Sequence, residues 1–360
     1  MRLLILPGDG IGPEITRPVA PLVELVNNRF GTKVRIETHP VGLAAFDVHG
    51  TTLPDPTFIA CREADGVVLG PLSTSEYRDL GAGGVNASAR LRLDLDLYAN
   101  IRPCRGLGPA SPPNMDLVIV RENTEGFYAV RTMYAGSGEF APDAGTAFAL
   151  RKITQAASRR IALRAFDLAS RRRGKVTAVH KANVLALTDG VFLAACREVR
   201  QQFPDVSYEE ELVDASAAHL VKQPSDYDVL VTTNLFGDIL SNEAAQIAGS
   251  LGLAGSLNHG ESHGVAQAAH GSAPDIAGRD IANPVSMLAS VGLLLDWMSG
   301  RAGDAGLADA ARELDEAIRQ EIGAGGLPAD MGGRCGTREI QDRILSRIGG
   351  RRTDRSQEGG

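Results

Sequence analysis

Short apolar runs and amphipathic segments alternate along this chain, and this alternation constrains its fold more than any other feature. The apolar runs are continuous and rich in β-branched residues, as buried strands are. They cover residues 3–6, 66–70, 117–120, 176–179 and 229–232. Apolar residues recur at helical spacing near 14–29, 151–173, 188–202, 238–250, 284–299 and 304–322. The pattern predicts an α/β protein whose strands are covered by helices.

The composition argues against several classes of function. At 360 residues the chain is long enough for one large or two closely joined α/β domains. No apolar run approaches the length of about 18 residues that crosses a membrane. The first residues lack the pattern of a secretory signal, so we expect a cytoplasmic protein without a membrane partner. A formal net charge of −7 argues against nonspecific binding of nucleic acid.

A glycine-rich loop follows the first apolar run, where residues 8–14 read Gly-Asp-Gly-Ile-Gly-Pro-Glu. Glycines at such a place let backbone amides approach a phosphate at a helix N-terminus. The spacing fits neither standard motif, because Pro13 stands where a dinucleotide fingerprint needs a third glycine and no Gly-Lys-Ser/Thr follows. The spacing therefore favours a tight structural turn.

Six ordered motifs nevertheless resemble one family. They are Pro-Gly-Asp-Gly-Ile-Gly-Pro-Glu at 7–14, Leu-Tyr-Ala-Asn-Ile-Arg-Pro at 97–103, Val-Arg-Glu-Asn-Thr-Glu-Gly at 120–126, His-Lys-Ala-Asn-Val at 180–184, Asn-Leu-Phe-Gly-Asp-Ile-Leu-Ser at 234–241 and His-Gly-Ser-Ala-Pro-Asp-Ile-Ala-Gly at 270–278. In sequence and in order they resemble the isocitrate/isopropylmalate dehydrogenase superfamily. The resemblance extends from residue 3 to about 340, and any one motif alone would be a weak signal.

The resemblance implies a two-domain α/β fold of the isopropylmalate dehydrogenase type, which is distinct from the Rossmann fold. The large, cofactor-binding domain would consist of both chain ends, residues 1–99 and 252–348. Residues 100–251 would form the central domain and the interface of a homodimer with shared active sites. The polar tail at 349–360 has no apolar periodicity, and we expect it to be disordered.

The implied reaction is the NAD-dependent and metal-dependent oxidation and decarboxylation of a 3-substituted (2R)-malate. Arg92, Arg102 and Arg121 match the substrate-binding arginines of the family, and we call them the arginine clamp. Planar guanidinium groups suit the binding of two carboxylates in a fixed orientation. The segment from Leu95 to Arg102 is predicted to be a strand or a helix that Pro103 ends.

Asp214 and Asp238 match the aspartates with which the family binds Mg²⁺ or Mn²⁺, and Asp214 is expected to come from the partner subunit. One helical turn after Asp238, many relatives have another aspartate, where this chain has Asn242. A neutral amide in place of a carboxylate predicts a weaker metal site.

Lys181 and Tyr128 match the catalytic pair of the family, with Lys181 reaching the site from the other subunit. A lysine beside a metal and several arginines loses a proton more readily, because like charges disfavour the ammonium form. Lys181 would take the hydroxyl proton as hydride leaves, and Tyr128 would protonate the enolate carbon that decarboxylation leaves.

The motif near residue 270 resembles the adenosine-binding loop of the family. Its expected cofactor-binding residues are His270, Gly271, Ser272, Ala273, Asp275 and Asn283. A carboxylate at Asp275 suits the ribose hydroxyls of NAD and repels the 2′-phosphate of NADP, so we expect NAD. Gln267 stands where many relatives have a glutamate, so one negative charge on the cofactor side is absent.

The 3-substituent is expected to contact the segment before Arg92, where isopropylmalate enzymes have leucines. Here Asn86 and Ser88 offer hydrogen-bonding groups and Ala89 is small, which favours a polar or anionic substituent, as in isocitrate or homoisocitrate. The substrate would then be a hydroxy-dicarboxylate or tricarboxylate. Isopropylmalate, tartrate, D-malate and a phosphonate-bearing malate stay open.

Two non-enzymatic classes compete with this interpretation. Asn242 is the main support for a non-catalytic regulatory subunit, and the retained Lys181, Tyr128 and arginine clamp oppose it. A phosphate- or nucleotide-binding protein without redox chemistry would need a complete phosphate loop, which the spacing at residues 8–12 lacks.

Overall fold

The computed structural model describes residues 1–109, 111–128 and 138–350. The strands are β1 (Arg2–Leu6), β2 (Arg35–Thr38), β3 (Gly66–Leu69), β4 (Ala99–Arg105), β5 (Asp116–Glu122), β6 (Glu139–Asp143), β7 (Thr146–Ala149), β8 (Lys175–His180), β9 (Ser207–Leu212), β10 (Val229–Thr232), β11 (Leu257–His259) and β12 (Gly264–Gln267). Strands β6 and β7 form a separate hairpin, and the described residues place the others in one ten-stranded sheet.

The helices alternate with the strands. They are α1 (Gly12–Thr16), α2 (Val19–Phe30), α3 (Leu43–His49), α4 (Asp55–Glu63), α5 (Ala87–Asp94), α6 (Gln155–Ser170), α7 (Ala186–Arg200), α8 (Val213–Lys222), α9 (Asn234–Ile247), α10 (Val285–Ala302), α11 (Ala305–Gly323) and α12 (Thr337–Gly349). The α/β prediction is confirmed. Of the helices in the described ranges, none combines the length and apolarity that a membrane span needs.

The sheet has two parallel halves that meet through antiparallel pairs. Its strand order is β2-β1-β3-β12-β11-β4-β5-β10-β8-β9. The first five strands come from the two ends of the chain and the last five from its centre. Strands β11 and β4 join the halves and run antiparallel to each other. We keep the two-domain division near residues 100 and 252 as a proposal that agrees with this order.

Separate apolar clusters cover the two halves. In the half from the chain ends, Leu22 of α2, Leu294 of α10 and Leu314 of α11 pack near β1, all fully buried. In the central half, Ile161 and Phe166 of α6 pack on β5 and β8. Burial of such side chains contributes roughly 1.5–3 kcal/mol each, so each cluster stabilises its own part of the sheet.

Several predicted element boundaries were wrong. The helix predicted at 14–29 is interrupted, because α1 ends at Thr16 and α2 begins at Val19, directly after Pro18. The segment ending at Arg102 was predicted to stop at Pro103, but β4 continues to Arg105 and Pro103 pairs with Val118 of β5. Strand β11 pairs only as far as Ile101, so Pro103 lies beyond the end of its second neighbour. Proline is tolerated at such a sheet edge.

The glycine-rich loop is a structural turn, as its spacing predicts. Gly8 and Gly10 have φ values of 78° and 56°, which favour glycine. Asp9 is buried and holds the loop, because its carboxylate accepts hydrogen bonds from the backbone N–H of Leu43 at 2.7 Å and of Ser73 at 2.9 Å. The predicted disorder of residues 349–360 falls mostly on 351–360, outside the described residues.

Candidate active site

Two arginines of the clamp converge on one carboxylate. Arg102 of β4 and Arg121 of β5 lie on adjacent antiparallel strands, and both point toward α9. The Nη1 atom of Arg121 donates to Asp238 Oδ1 at 2.5 Å, and Nη1 of Arg102 lies 3.3 Å from the same oxygen. Both guanidinium groups are almost fully buried. This arrangement places a dense positive charge at the carboxyl end of the central parallel strands.

Neutral side chains fix the orientation of these arginines. Asn100 accepts a hydrogen bond from Arg102 Nε at 2.7 Å, and Ser241 accepts one from Arg102 Nη1 at 2.6 Å. Asn234 accepts from Arg121 through both Nε and Nη2, at 3.0 and 2.6 Å. Sequence reasoning assigned no role to these residues. Asn100 lies two positions before Arg102 on one strand, so the two side chains point to the same face, and their contact could have been predicted from this spacing.

Helix α9 comes close to Arg121 because of one glycine. A Cβ atom at Gly237 would lie 2.7 Å from the Cβ and Cγ atoms of Arg121. Any larger residue would push the helix, and with it Asp238, away from the arginines. The glycine before Asp238 is therefore part of the site.

The charges shift the pKa values of this cluster. Burial, together with the neighbouring charge of Arg121, lowers the pKa of Arg102 to about 10. Burial alone would raise the pKa of Asp238, but the charges of Arg121, Arg102 and Arg92 outweigh it and hold this pKa below its usual value. Arg92 of α5 therefore completes the clamp electrostatically, and Asp238 is ionised.

Tyr128 lies at the same carboxylate. Its hydroxyl donates to Asp238 Oδ2 at 3.4 Å, and the guanidinium of Arg121 lies 5.8 Å from the centre of its ring. The structure thus brings together Tyr128, Asp238 and all three clamp residues.

Lys181 and Asp214 form a second group. Lys181 Nζ donates to Asp214 Oδ1 at 2.6 Å, and this bond lowers the pKa of Asp214. The Asp214 side chain is 65% exposed. Within the described residues, neither side chain forms an ion pair with Asp238. In one subunit Lys181 therefore pairs with the predicted metal ligand Asp214 and not with Asp238.

The predicted metal ligands are all oxygen donors, but one subunit does not assemble them. Asp238 and Asn242 are one turn apart on α9, and Asn242 Oδ1 accepts from Arg102 Nη1 at 3.3 Å. The described residues contain no group of three or more histidine, cysteine or acidic side chains that could hold a metal. A complete metal site would need a further oxygen ligand from outside this subunit, such as the exposed Asp214 of a second subunit.

The loop after β12 contains the predicted cofactor residues. His270 Nδ1 contacts the carbonyl of Gly271 at 3.0 Å, and its buried Nε2 atom has no hydrogen-bond partner among the described residues. Burial lowers the pKa of His270, so the ring is neutral. Ser272 contacts Ser73 through their hydroxyl oxygens at 2.9 Å. The loop thus offers a buried, unpaired polar atom to a ligand.

The remaining predicted cofactor residues lie within or near a short turn at Pro274–Ile276. Ala273 has a φ of 38°, and the exposed Asp275 follows it in a 3₁₀ turn. The amide nitrogen of Asn283 donates to Asp330 Oδ2 at 3.1 Å, and its carbonyl oxygen accepts from the backbone of Val285 at 3.0 Å. Asn283 therefore anchors the start of α10.

Two predicted substituent-binding residues lie at the start of α5. Asn86 caps this helix, because its Oδ1 accepts from the backbone N–H of Ala89 at 3.0 Å. Ser88 donates from its hydroxyl to Gln267 Oε1 at 2.9 Å. The sequence alone gives no clear consequence for Gln267, where the glutamate of many relatives is absent.

The whole chain matches one protein family. The family model of isocitrate/isopropylmalate dehydrogenase matches residues 2–344. A 3-isopropylmalate dehydrogenase of Saccharolobus solfataricus is 39% identical over 346 residues, which are 95% of this chain and 98% of that relative. A 3-isopropylmalate dehydrogenase of Methanothermobacter thermautotrophicus is 38% identical over 351 residues, which are 97% of this chain and 98% of the relative.

A solved structure agrees with this match. The crystal structure of an isocitrate dehydrogenase from Methylococcus capsulatus superposes with a TM-score of 0.85 at 38% sequence identity. The match covers 97% of this chain and 99% of the other. The similar proteins thus carry the names of two different substrates.

Proposed function

The chain belongs to the isocitrate/isopropylmalate dehydrogenase family, and from this premise we propose that it oxidises and decarboxylates a 3-substituted malate with a polar substituent. Its class is that of the family, an NAD-dependent decarboxylating dehydrogenase that works with Mg²⁺ or Mn²⁺. The main support for a malate substrate is the convergence of two buried, oriented guanidinium groups on Asp238. Such groups bind carboxylates in a fixed orientation.

The proposed metal ligands are Asp238, Asn242 and Asp214 of a second subunit. All three offer oxygen, which Mg²⁺ and Mn²⁺ prefer. When bound, the metal would polarise the substrate hydroxyl and stabilise the negative charge that decarboxylation leaves. The low pKa of Asp238 suits this role, because a metal ligand must be deprotonated.

The proposed cofactor site is the loop from His270 to Asp275 together with Asn283. The buried Nε2 atom of His270 fits a polar group of the dinucleotide. The exposed Asp275 is available to the ribose hydroxyls of NAD and would repel a phosphate at that place.

The proposed proton transfers use Lys181 and Tyr128. Lys181 takes the proton of the substrate hydroxyl. Tyr128 stands at the Asp238 carboxylate and delivers a proton to the enolate carbon. The arginine clamp orients the substrate during both steps.

We propose that the enzyme is a homodimer with shared active sites. Exposed apolar side chains lie close in sequence to the proposed catalytic groups. Val184 and Leu187 follow Lys181 and are 70% and 87% exposed, and Ile239, next to Asp238, is 56% exposed. A second subunit would cover these side chains and bring its Lys181 and Asp214 to the clamp.

The proposal of a polar substituent rests on Ser88 and Gln267, whose hydroxyl and amide are hydrogen-bonded to each other. An alkyl substituent would need apolar contacts at this position. The second candidate is 3-isopropylmalate. By name, the relatives from Saccharolobus, Methanothermobacter and Archaeoglobus favour it over isocitrate.

The test is NADH formation with NAD and Mg²⁺ across isocitrate, homoisocitrate, 3-isopropylmalate, D-malate and tartrate. We expect the highest kcat/KM with a carboxylate-bearing substituent. A preference for 3-isopropylmalate would replace the polar substituent with the second candidate. Absence of turnover with every malate, in a folded dimer, would contradict the proposed activity.

A further inference from the structure

Gln267 is linked to the arginine clamp through a short series of hydrogen bonds. It is the last residue of β12, and its backbone N–H donates to the carbonyl of Ser256 at 3.1 Å. Ser256 Oγ accepts from Asn100 Nδ2 at 2.9 Å. Asn100 in turn accepts from Arg102 Nε. Gln267 therefore lies two strands away from β4, the strand that carries Arg102.

One face of α5 contacts both Gln267 and the clamp region. Ser88 and Arg92 are four residues apart on this helix, so they share a face. Ser88 donates to Gln267, and the charge of Arg92 lowers the pKa of Asp238. The same face thus carries a carboxylate-binding arginine and the residue expected to contact the 3-substituent. Gln267 lies at the substituent end of that face.

The hydrogen bond to Ser88 determines what Gln267 can offer a ligand. Its Oε1 atom accepts the Ser88 hydroxyl, which leaves two N–H donors on the amide nitrogen. Among the described residues, this nitrogen has no hydrogen-bond partner, and the side chain is only partly buried. A neutral pair of N–H donors binds an anionic oxygen, whereas a carboxylate in the same place repels it.

We infer that Gln267, held by Ser88, is a specificity-determining residue that favours a 3-substituent ending in an anionic oxygen group, such as a carboxylate. The inference rests on the proposed function, since it names the substituent accepted at that site. It also gives a role to the absence of a glutamate at this position: a neutral residue removes like-charge repulsion from the substituent.

The experiment compares wild-type enzyme with Gln267→Glu, which keeps the size of the side chain and adds one negative charge. For each we measure kcat/KM with 3-isopropylmalate and with the best carboxylate-bearing substrate of the panel. We expect kcat/KM for the carboxylate-bearing substrate to fall at least tenfold more than for 3-isopropylmalate. Raising the salt concentration should recover part of that loss, because ions screen the added repulsion.

Two further variants separate this role from a structural one. Gln202→Glu adds the same charge at an exposed position after α7 and should leave the ratio of the two kcat/KM values unchanged. Ser88→Ala removes the hydroxyl that holds the amide, and should shift the ratio in the same direction as Gln267→Glu, by less.

Equal losses with both substrates in Gln267→Glu would overturn the inference, because they would mean that Gln267 only supports the site. An unchanged ratio would overturn it too. A wild-type enzyme that turns over no malate would instead contradict the proposed function itself.

Discussion

The two catalytic groups of this chain differ in how completely one subunit builds them. Around Asp238, buried arginines are held by Asn100 and Asn234, and their charges fix the protonation state of the carboxylate. Lys181 and Asp214 instead meet each other at the surface. The difference teaches that the clamp is preorganised within the subunit, whereas the surroundings of Lys181 depend on what the surface contacts. The shared active site that we propose accounts for both.

The largest effect is expected from Lys181→Met. Turnover should fall by roughly 10²–10⁴-fold, the usual contribution of a general base, because no other group takes the hydroxyl proton. The melting temperature should change little, since the side chain of Asp214, the ion-pair partner of Lys181, is mostly exposed. The measurements are kcat and the melting temperature, with NAD binding as the control. Retained turnover would remove Lys181 from the mechanism.

Mixed dimers test directly whether each active site uses residues of both subunits. Lys181→Met and Asp238→Asn should each be inactive, but subunits of the two variants, unfolded and refolded together, should recover about a quarter of wild-type activity. Half of the dimers would be mixed, and each would have one intact site of two. The control is each variant refolded alone. No recovery in a verified mixed dimer would mean that each subunit contains its whole site.

Arg121→Met should affect folding as well as activity. It leaves the Asp238 carboxylate without its closest partner, and breaking such a buried pair costs roughly 3 kcal/mol or more. Urea unfolding measures the free energy, and kcat/KM with a malate measures the clamp. Arg197→Met, which breaks an exposed pair with Glu210, is the matched control and should leave both nearly unchanged. Equal effects of the two changes would contradict the expectation that the arginine clamp contributes more to stability and activity than an exposed ion pair.

Asn242→Asp should lower the Mg²⁺ concentration needed for half-maximal activity by about tenfold, because a carboxylate adds charge to a neutral ligand position. The readout is a metal titration at saturating substrate. Because Asn242 contacts Arg102, the KM for substrate should be followed in parallel. An identical titration curve would place residue 242 outside the metal ligands.

The smallest effect concerns pH. Asp238 has a lowered pKa in the folded protein, so its ionised form stabilises the fold above the unfolded value of about 3.9. This contribution is lost as pH falls through the folded pKa. The difference in unfolding free energy between wild type and Asp238→Asn should therefore be constant near neutral pH and shrink below about pH 4. A difference that grows on acidification would contradict the sign.

The sequence predicted the fold best where the chain is apolar. Strands such as β5 and β10 contain short runs rich in β-branched residues, and their positions are confirmed. Strand β9 reads Ser-Tyr-Glu-Glu-Glu-Leu and was missed, because an edge strand presents polar side chains to solvent. Pro103 misled the prediction because its cost depends on whether a neighbouring strand is present, which no local pattern shows.

The sequence predicted those site residues that lie within recognisable motifs. The arginines, Tyr128 and Asp238 were named from the sequence, and the structure brings them together. The bond between Ser88 and Gln267 joins residues 179 positions apart, so only the fold relates them. The ion pair between Lys181 and Asp214 likewise becomes visible only in the folded subunit.

The cofactor loop combines a fixed end and a free end. Near its start, the backbone N–H of Ile11 donates to the carbonyl of Ser272 at 2.8 Å, and a Cβ atom at Gly10 would lie 2.0 Å from that carbonyl oxygen. Asp275 is exposed and forms no ion pair with any described residue. Random mutagenesis for a different coenzyme should therefore succeed at the free end and fail at Gly10. If the loop binds the coenzyme as we propose, evolution can change coenzyme choice through a short stretch of surface, while the turn that supports it stays constant.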